Sequence, residues 1–146
     1  MEENKKPQDF KIFLDLVLEA GTKIRPHYFR VQTAGEEEFV FRERVYCYEL
    51  YHRLREILPL NFKYQLDGEL DKRGQELFRK MKYIPDFLVH IPGDMTNNLV
   101  VIEVKQININ NLKETGIKDD IKKLSRFIKE VSYFRGIMLI YSDEFD

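Results

Sequence analysis

The stretch that decides the fold is YIPDFLVHI (83–91), followed by PGDMTN (92–97) and NLVVIEVKQ (98–106). Two apolar runs flank a segment of turn-forming residues, which is typical of a β-hairpin. Pairing the runs about the centre of the loop places Asp86 opposite Glu103 and His90 opposite Leu99. The sequence therefore predicts two antiparallel strands that carry charged side chains at one end.

These charged side chains share one face of the predicted hairpin. Successive side chains of a strand alternate between faces, so Glu103 and Lys105 point one way and Val104 the other. In this register Asp86 lies on the face of Glu103. Charges are costly to bury unless they are paired or bind a metal. Two carboxylates suit Mg²⁺ or Mn²⁺, because Mg²⁺ commonly takes one or two carboxylates and keeps several waters. A solvated sheet face with a Glu–Lys pair is the structural alternative.

The spacing of these residues resembles the PD-(D/E)xK nuclease superfamily. Pro85-Asp86 gives the first half of the motif, and Glu103-Val104-Lys105 follows 17 residues after the aspartate. The resemblance implies a metal-dependent endonuclease that cuts DNA and leaves a 5′-phosphate. It makes Asp86, Glu103 and the Val104 backbone carbonyl the metal ligands, with Lys105 as the group that activates water. Chains of this superfamily are commonly homodimers.

The order of the other elements fits an α/β fold with a small mixed sheet flanked by helices. Apolar periodicity predicts helices over Asp9–Ala20 (ended by Gly21), Glu36–Leu58 and Ile117–Val131. Alternation predicts a half-buried strand over Phe62–Asp71, and a continuous apolar run predicts a fully buried strand over Gly136–Tyr141, parallel to the strand of Glu103. The resemblance implies a restriction-endonuclease-like αβββαβ core over about residues 39–141 of a single domain, 1–146, with an extra N-terminal helix.

Glu49 is the candidate for a third acidic residue. It borders the apolar stripe of the second predicted helix, three residues after Tyr46 and one before Leu50. Many superfamily members carry a glutamate on the helix before the sheet, and the resemblance implies that Glu49 reaches the metal directly or through water. The alternative is an ion pair with Arg53 one helical turn later.

DNA is the predicted partner, and its backbone needs basic or amide groups near the site. The most basic segment leads directly into the strand of Asp86, although a solvated helical turn would look the same. Gln106 follows Lys105, and Lys122 lies on the helix after it. The predicted nucleic-acid contacts are Lys72, Arg73, Arg79, Lys80, Lys82, Gln106 and Lys122.

Bulk composition limits the other classes of function. The chain has 146 residues, 43% hydrophobic and 34% charged, which suits one globular domain. It has no signal-peptide pattern and no apolar run long enough for a bilayer, so we expect a cytoplasmic protein with no membrane partner. Cys47 is alone, which rules out an internal disulfide. The net charge of −1 is low for a DNA binder and favours two alternatives. These are a non-catalytic module that binds nucleic acid or protein, and an unrelated α/β protein with a surface ion pair.

Overall fold

The computed structural model describes residues 4–28, 43–68, 84–94, 96–107 and 116–142. These residues form a mixed α/β structure with three α-helices and one four-stranded sheet. The helices are α1 (Lys6–Thr22), α2 (Glu43–Ile57) and α3 (Ile117–Val131), with a short 3-10 turn at Pro26–Tyr28. The strands are β1 (Gln65–Gly68), β2 (Phe87–His90), β3 (Asn98–Gln106) and β4 (Arg135–Tyr141). Within these ranges, no helix has the length and apolar character needed to cross a bilayer.

The sheet has the order β1-β2-β3-β4. The first two neighbouring pairs are antiparallel, and β4 lies parallel to β3, as predicted. Phe87 pairs with Ile102, which confirms the predicted register of the hairpin. His90 pairs with Asn98, so its predicted pairing with Leu99 is wrong. A bulge between Val89 and His90 leaves Leu99 as an extra residue of β3, and Leu99 is fully buried in the core.

Helices cover both faces of the sheet. The larger core cluster joins α1 and α2 to one face, with Phe13, Leu50, Val89 and Ile102 among its fully buried members. The smaller cluster joins α3 to the other face through Leu88, Val101, Leu124 and Phe127. Because side chains alternate along a strand, β2 and β3 supply both clusters in turn. This arrangement explains why their apolar runs are nearly continuous in sequence.

Several predicted elements differ from the structure in extent or burial. The first strand begins at Gln65 rather than Phe62, and α1 begins at Lys6 rather than Asp9. Helix α1 continues through Gly21 to Thr22, and the backbone N–H groups of Lys23 and Ile24 donate to the carbonyls of Ala20 and Gly21. Strand β4 is not fully buried, since only Tyr141 among its residues is buried. It pairs with β3 on one side, and the described sheet ends there, so water reaches much of it. The predicted parts of the second helix and first strand over 36–42 and 69–71 lie outside the described residues.

Candidate active site

Asp86 lies directly against the Glu103–Lys105 segment. Its Oδ2 accepts a hydrogen bond from the backbone N–H of Val104 at 2.7 Å. Extending the hairpin register by one pair beyond Phe87 and Ile102 places Asp86 beside Glu103. Residues opposite each other on antiparallel strands share a face, and Lys105 is two positions along that face. The structure therefore places the Asp86 carboxylate against the backbone between Glu103 and Lys105, and the meeting of the three side chains in one site stays a prediction.

Pro85 shapes the backbone at the same point. One further pair of the register places Pro85 opposite Val104. In a strand, the N–H and C=O of one residue point to the same side, so the Val104 carbonyl points toward the chain that carries Pro85 and Asp86. Proline has no N–H to donate to that carbonyl. The carboxylate of Asp86 takes the Val104 N–H instead, and no ladder bond from residue 85 can occupy the Val104 oxygen.

Lys105 is held by an acidic residue that the sequence analysis did not single out. Its Nζ lies 3.2 Å from Oδ2 of Asp120 in the first turn of α3, and the two side chains are 25% and 22% exposed. Asp120 precedes the buried Leu124 and Phe127 by four and seven residues, so it continues the sheet-facing stripe of the helix. That spacing is visible in the sequence and could have identified Asp120.

Glu49 does not face this cluster. It is 8% exposed, and its Oε1 lies 2.7 Å from Nε of Arg53, which is the ion pair considered as the alternative. The acid that α2 brings to the end of β3 is Glu43, whose Oε1 accepts the Gln106 N–H at 3.2 Å. Six residues of helix place Glu49 about 9 Å further along the axis and about 120° away in direction from Glu43. A catalytic role for Glu49 stays a prediction.

Two stacked tyrosines lie beside Glu43. The rings of Tyr46 and Tyr141 are 3.8 Å apart between centroids and 3° from parallel. Burial raises the pKa of Tyr46 to about 12. Burial also raises the pKa of Tyr141, and the negative charges of nearby Glu43 and Asp86 raise it further. Both phenols are therefore neutral at physiological pH, and Tyr141 keeps its proton between two acidic side chains.

The predicted nucleic-acid contacts divide into three cases. Gln106 donates its side-chain amide to the carbonyl of Ile107 at 2.9 Å. It is adjacent to Lys105 in β3, so the two side chains point to opposite faces of the sheet. Lys122 is exposed and lies two residues, or about 200°, from Asp120 around α3, so it points away from the sheet. The basic residues between β1 and β2 lie outside the described part of the chain: Lys72, Arg73, Arg79, Lys80 and Lys82.

A cavity of about 470 Å³ opens beside Asp86. It lies between α2 and the ends of β1 and β2. The described residues that line it are Arg44, Cys47, Tyr48, Tyr51, Asp67, Gly68, Asp86 and Phe87. Asp86 thus lines the cavity and also contacts the Glu103–Lys105 segment through the Val104 N–H.

The oxygen donors fit a hard cation. In the described ranges, no three or more His, Cys, Asp or Glu side chains are arranged to hold a metal by themselves. Mg²⁺ does not require such a cage, because it usually binds through one or two carboxylates and retains water. Asp86, Glu103 and the Val104 carbonyl are donors of this kind, on the edge of a partly exposed site.

No protein-family model, curated protein or solved structure matches this chain. The geometry of Asp86, Glu103, Lys105 and Asp120 is therefore the basis for a functional interpretation.

Proposed function

We propose that this chain is a divalent-metal-dependent endonuclease that hydrolyses DNA phosphodiester bonds on a restriction-endonuclease-like core. The observation that supports this most directly is the hydrogen bond from the Val104 N–H to Asp86, which fixes a carboxylate beside Glu103 and Lys105. The run α2-β1-β2-β3-α3-β4, with two antiparallel pairs and then a parallel one, also fits such a core.

In this proposal the metal is held by Asp86, Glu103 and the Val104 carbonyl. A bound divalent cation would polarise the scissile phosphate and lower the pKa of a coordinated water. The backbone hydrogen bond orients the Asp86 carboxylate, so the ligand is preorganised before substrate arrives. Pro85 contributes by leaving the Val104 oxygen available to a cation.

Lys105 supplies the positive charge of the site. Its ammonium donates to the attacking water or to a phosphate oxygen, which stabilises the negative charge that grows in the transition state. The contact with Asp120 holds Lys105 on the α3 side of the sheet until a phosphate competes for it. Lys105 is 25% exposed at its side chain, so the competing phosphate can reach it from solvent.

The test is nicking of supercoiled plasmid with Mg²⁺ or Mn²⁺, compared with chelator alone. We expect Lys105→Ala and Asp86→Asn each to lower the rate by about 10²–10³-fold, the range for loss of one preorganised electrostatic group. Lys129→Ala, on the exposed side of α3, is the matched control and should keep the wild-type rate. Nicking that is equal in Lys105→Ala and wild type would mean that the activity belongs to a contaminant or another site.

A non-catalytic module that binds nucleic acid or protein is the second candidate. The pairing of Lys105 with Asp120 favours it, because a lysine that already neutralises a carboxylate has a structural role. The net charge of −1 favours a protein partner over nucleic acid for such a module. If the chain binds plasmid but shows no metal-dependent nicking, and if Asp86→Asn leaves that binding unchanged, the result would support this module and refute the nuclease.

A further inference from the structure

We infer that the cavity beside Asp86 binds one unstacked nucleobase, so that the preferred substrate is single-stranded or splayed DNA rather than continuous duplex. This inference rests on the proposed function for its substrate class. It assigns a second binding site, next to the cluster that would act on the phosphodiester.

The size and walls of the cavity suit a base. Its volume of about 470 Å³ lies within the range of small-molecule sites, and its described walls include Tyr48, Tyr51 and Phe87. The rings of Tyr51 and Phe87 are 8° from parallel with centroids 6.3 Å apart, and both residues line the cavity. Aromatic rings of this kind are stacking platforms for bases of any sequence.

Tyr48 gives the cavity a face that substrate can reach. It is 65% exposed, so a ligand in the cavity can contact its ring from solvent. It lines the same cavity as Arg44, one turn earlier on α2. A guanidinium can stack on a base or pair with the adjoining phosphate. The pair therefore offers contacts to both parts of one nucleotide.

The polar wall matches the edge of a base. Asp67 accepts a hydrogen bond from Gln65 at 2.8 Å and lies 2.7 Å from Nε2 of the buried His90, so its carboxylate is fixed in place. Carboxylate oxygens accept hydrogen bonds from the exocyclic amino groups of bases. Each oxygen has two lone pairs, so Asp67 can accept a further donor while keeping its present partners.

The position of Asp86 links the two sites. It lines the cavity and also contacts Val104, so a base in the cavity holds its own phosphate close to the Glu103–Lys105 segment. A paired base cannot enter a cavity without leaving its stack, which costs free energy in duplex and much less in a single strand. Because unstacking costs less in a single strand, we expect the cavity to bind single-stranded DNA more tightly than duplex.

The experiment uses the full chain, chelator instead of metal, and an oligonucleotide that carries 2-aminopurine, whose fluorescence falls when the base stacks. We expect quenching with the single strand and at least about tenfold weaker binding to the same sequence in duplex. Tyr48→Ala should weaken single-strand binding by about 5- to 100-fold, Tyr48→Phe should restore it, and Leu18→Ala, with 63% exposure on α1, should not change it.

Unaltered binding by Tyr48→Ala, or equal quenching in single strand and duplex, would overturn the inference. The chelator separates the inference from the proposed function, because quenching is measured without metal and does not depend on whether the wild type cuts DNA. Metal-dependent nicking with no quenching would leave the nuclease standing and remove the base site. Circular dichroism of each variant checks that the fold is retained.

Discussion

The two faces of the sheet differ along the length of β3. On the side of α1 and α2, the side chains stay apolar from Val100 through Ile102 to Val104, and all three are almost completely buried. On the side of α3, the apolar residue Val101 is followed by Glu103 and Lys105, which are partly exposed. One face of β3 is therefore apolar, whereas the other carries charged and partly exposed side chains at one end.

This division explains how charges can lie on a central strand. A charge on the α1–α2 face would be desolvated among the residues of the larger core cluster, whereas Lys105 meets Asp120 at the open end of the smaller cluster. Consequently, we expect substitutions on one face to act mainly on stability and those on the other mainly on activity.

The largest effect on stability should come from Ile102→Ala. Ile102 is fully buried in the larger cluster, so removing its side chain leaves a cavity and should lower the free energy of unfolding by about 2–5 kcal/mol. The adjacent Glu103→Gln is the matched control from the opposite face, and it should cost less than about 1 kcal/mol. Urea denaturation measures both. If Glu103→Gln lowered the free energy of unfolding more than Ile102→Ala, the α1–α2 face would not be the face that stabilises the fold.

The sequence was enough to predict elements whose residues share one local pattern. The bounds of β3 and α3 agree with the prediction, because an apolar run marks β3 and a three-to-four apolar spacing marks α3. The hairpin register is also confirmed over Phe87–Val89. In each case the information lies within a short segment, and burial of one face specifies it strongly.

Features that depend on tertiary packing were not predicted. The bulge at His90 involves a contact with Asp67 on another strand, and Asn98 donates its side-chain amide to the Val131 carbonyl at 3.1 Å. Similarly, the choice between Arg53 and the metal site as the partner of Glu49 depends on the rotation of α2 relative to the sheet. Glu43 is the first residue of α2 as the structure describes it, and its contact with the Gln106 N–H depends on how α2 packs against β3.

The packing of α3 against β4 gives the next effect in size. A Cβ added at Gly136 would lie 2.6 Å from Cδ1 of Ile128 and 3.1 Å from Cγ of Leu124. We expect Gly136→Ala to lower the free energy of unfolding by about 1–3 kcal/mol, since both side chains must shift. Gly21→Ala in α1 meets no atom within 4 Å and should raise stability by up to about 1 kcal/mol. Thermal unfolding distinguishes the two variants. Equal changes in stability for Gly136→Ala and Gly21→Ala would contradict the close approach of α3 to β4 at Gly136.

Asp120→Asn should have a smaller effect on stability and a visible effect on activity. Its ion pair with Lys105 is partly exposed, so the loss should be no more than about 1 kcal/mol. Without that partner the ammonium samples more positions, and we expect a decrease in nicking rate of up to about tenfold. Asp119→Asn, an exposed neighbour, is the control for charge. Equal rates for the two variants would show that Asp120 does not position Lys105.

Asp94, at the opposite end of β2 from Asp86, provides the weakest and most specific test. Like Asp86, it accepts a backbone N–H, here from Thr96 at 2.8 Å. Hydrogen bonds from the Thr96 hydroxyl, the Asn97 side chain and the Thr96 N–H together lower its pKa from 3.8 to about 2. A lowered carboxyl pKa stabilises the fold above the unfolded value and loses that contribution as pH falls through the folded value.

The stability difference between wild type and Asp94→Asn should therefore be constant above about pH 4 and should shrink between pH 3.8 and about 2. Denaturation at a series of pH values measures it. Because Asp94 lies in the loop and away from the charged end of β3, the Asp94→Asn variant should nick plasmid at the wild-type rate at neutral pH. A stability difference that stays constant down to pH 2 would mean that the loop does not favour the charged carboxylate. A loss of nicking would mean that the two ends of the hairpin are coupled, so the separation between a structural end and a chemical end would no longer hold.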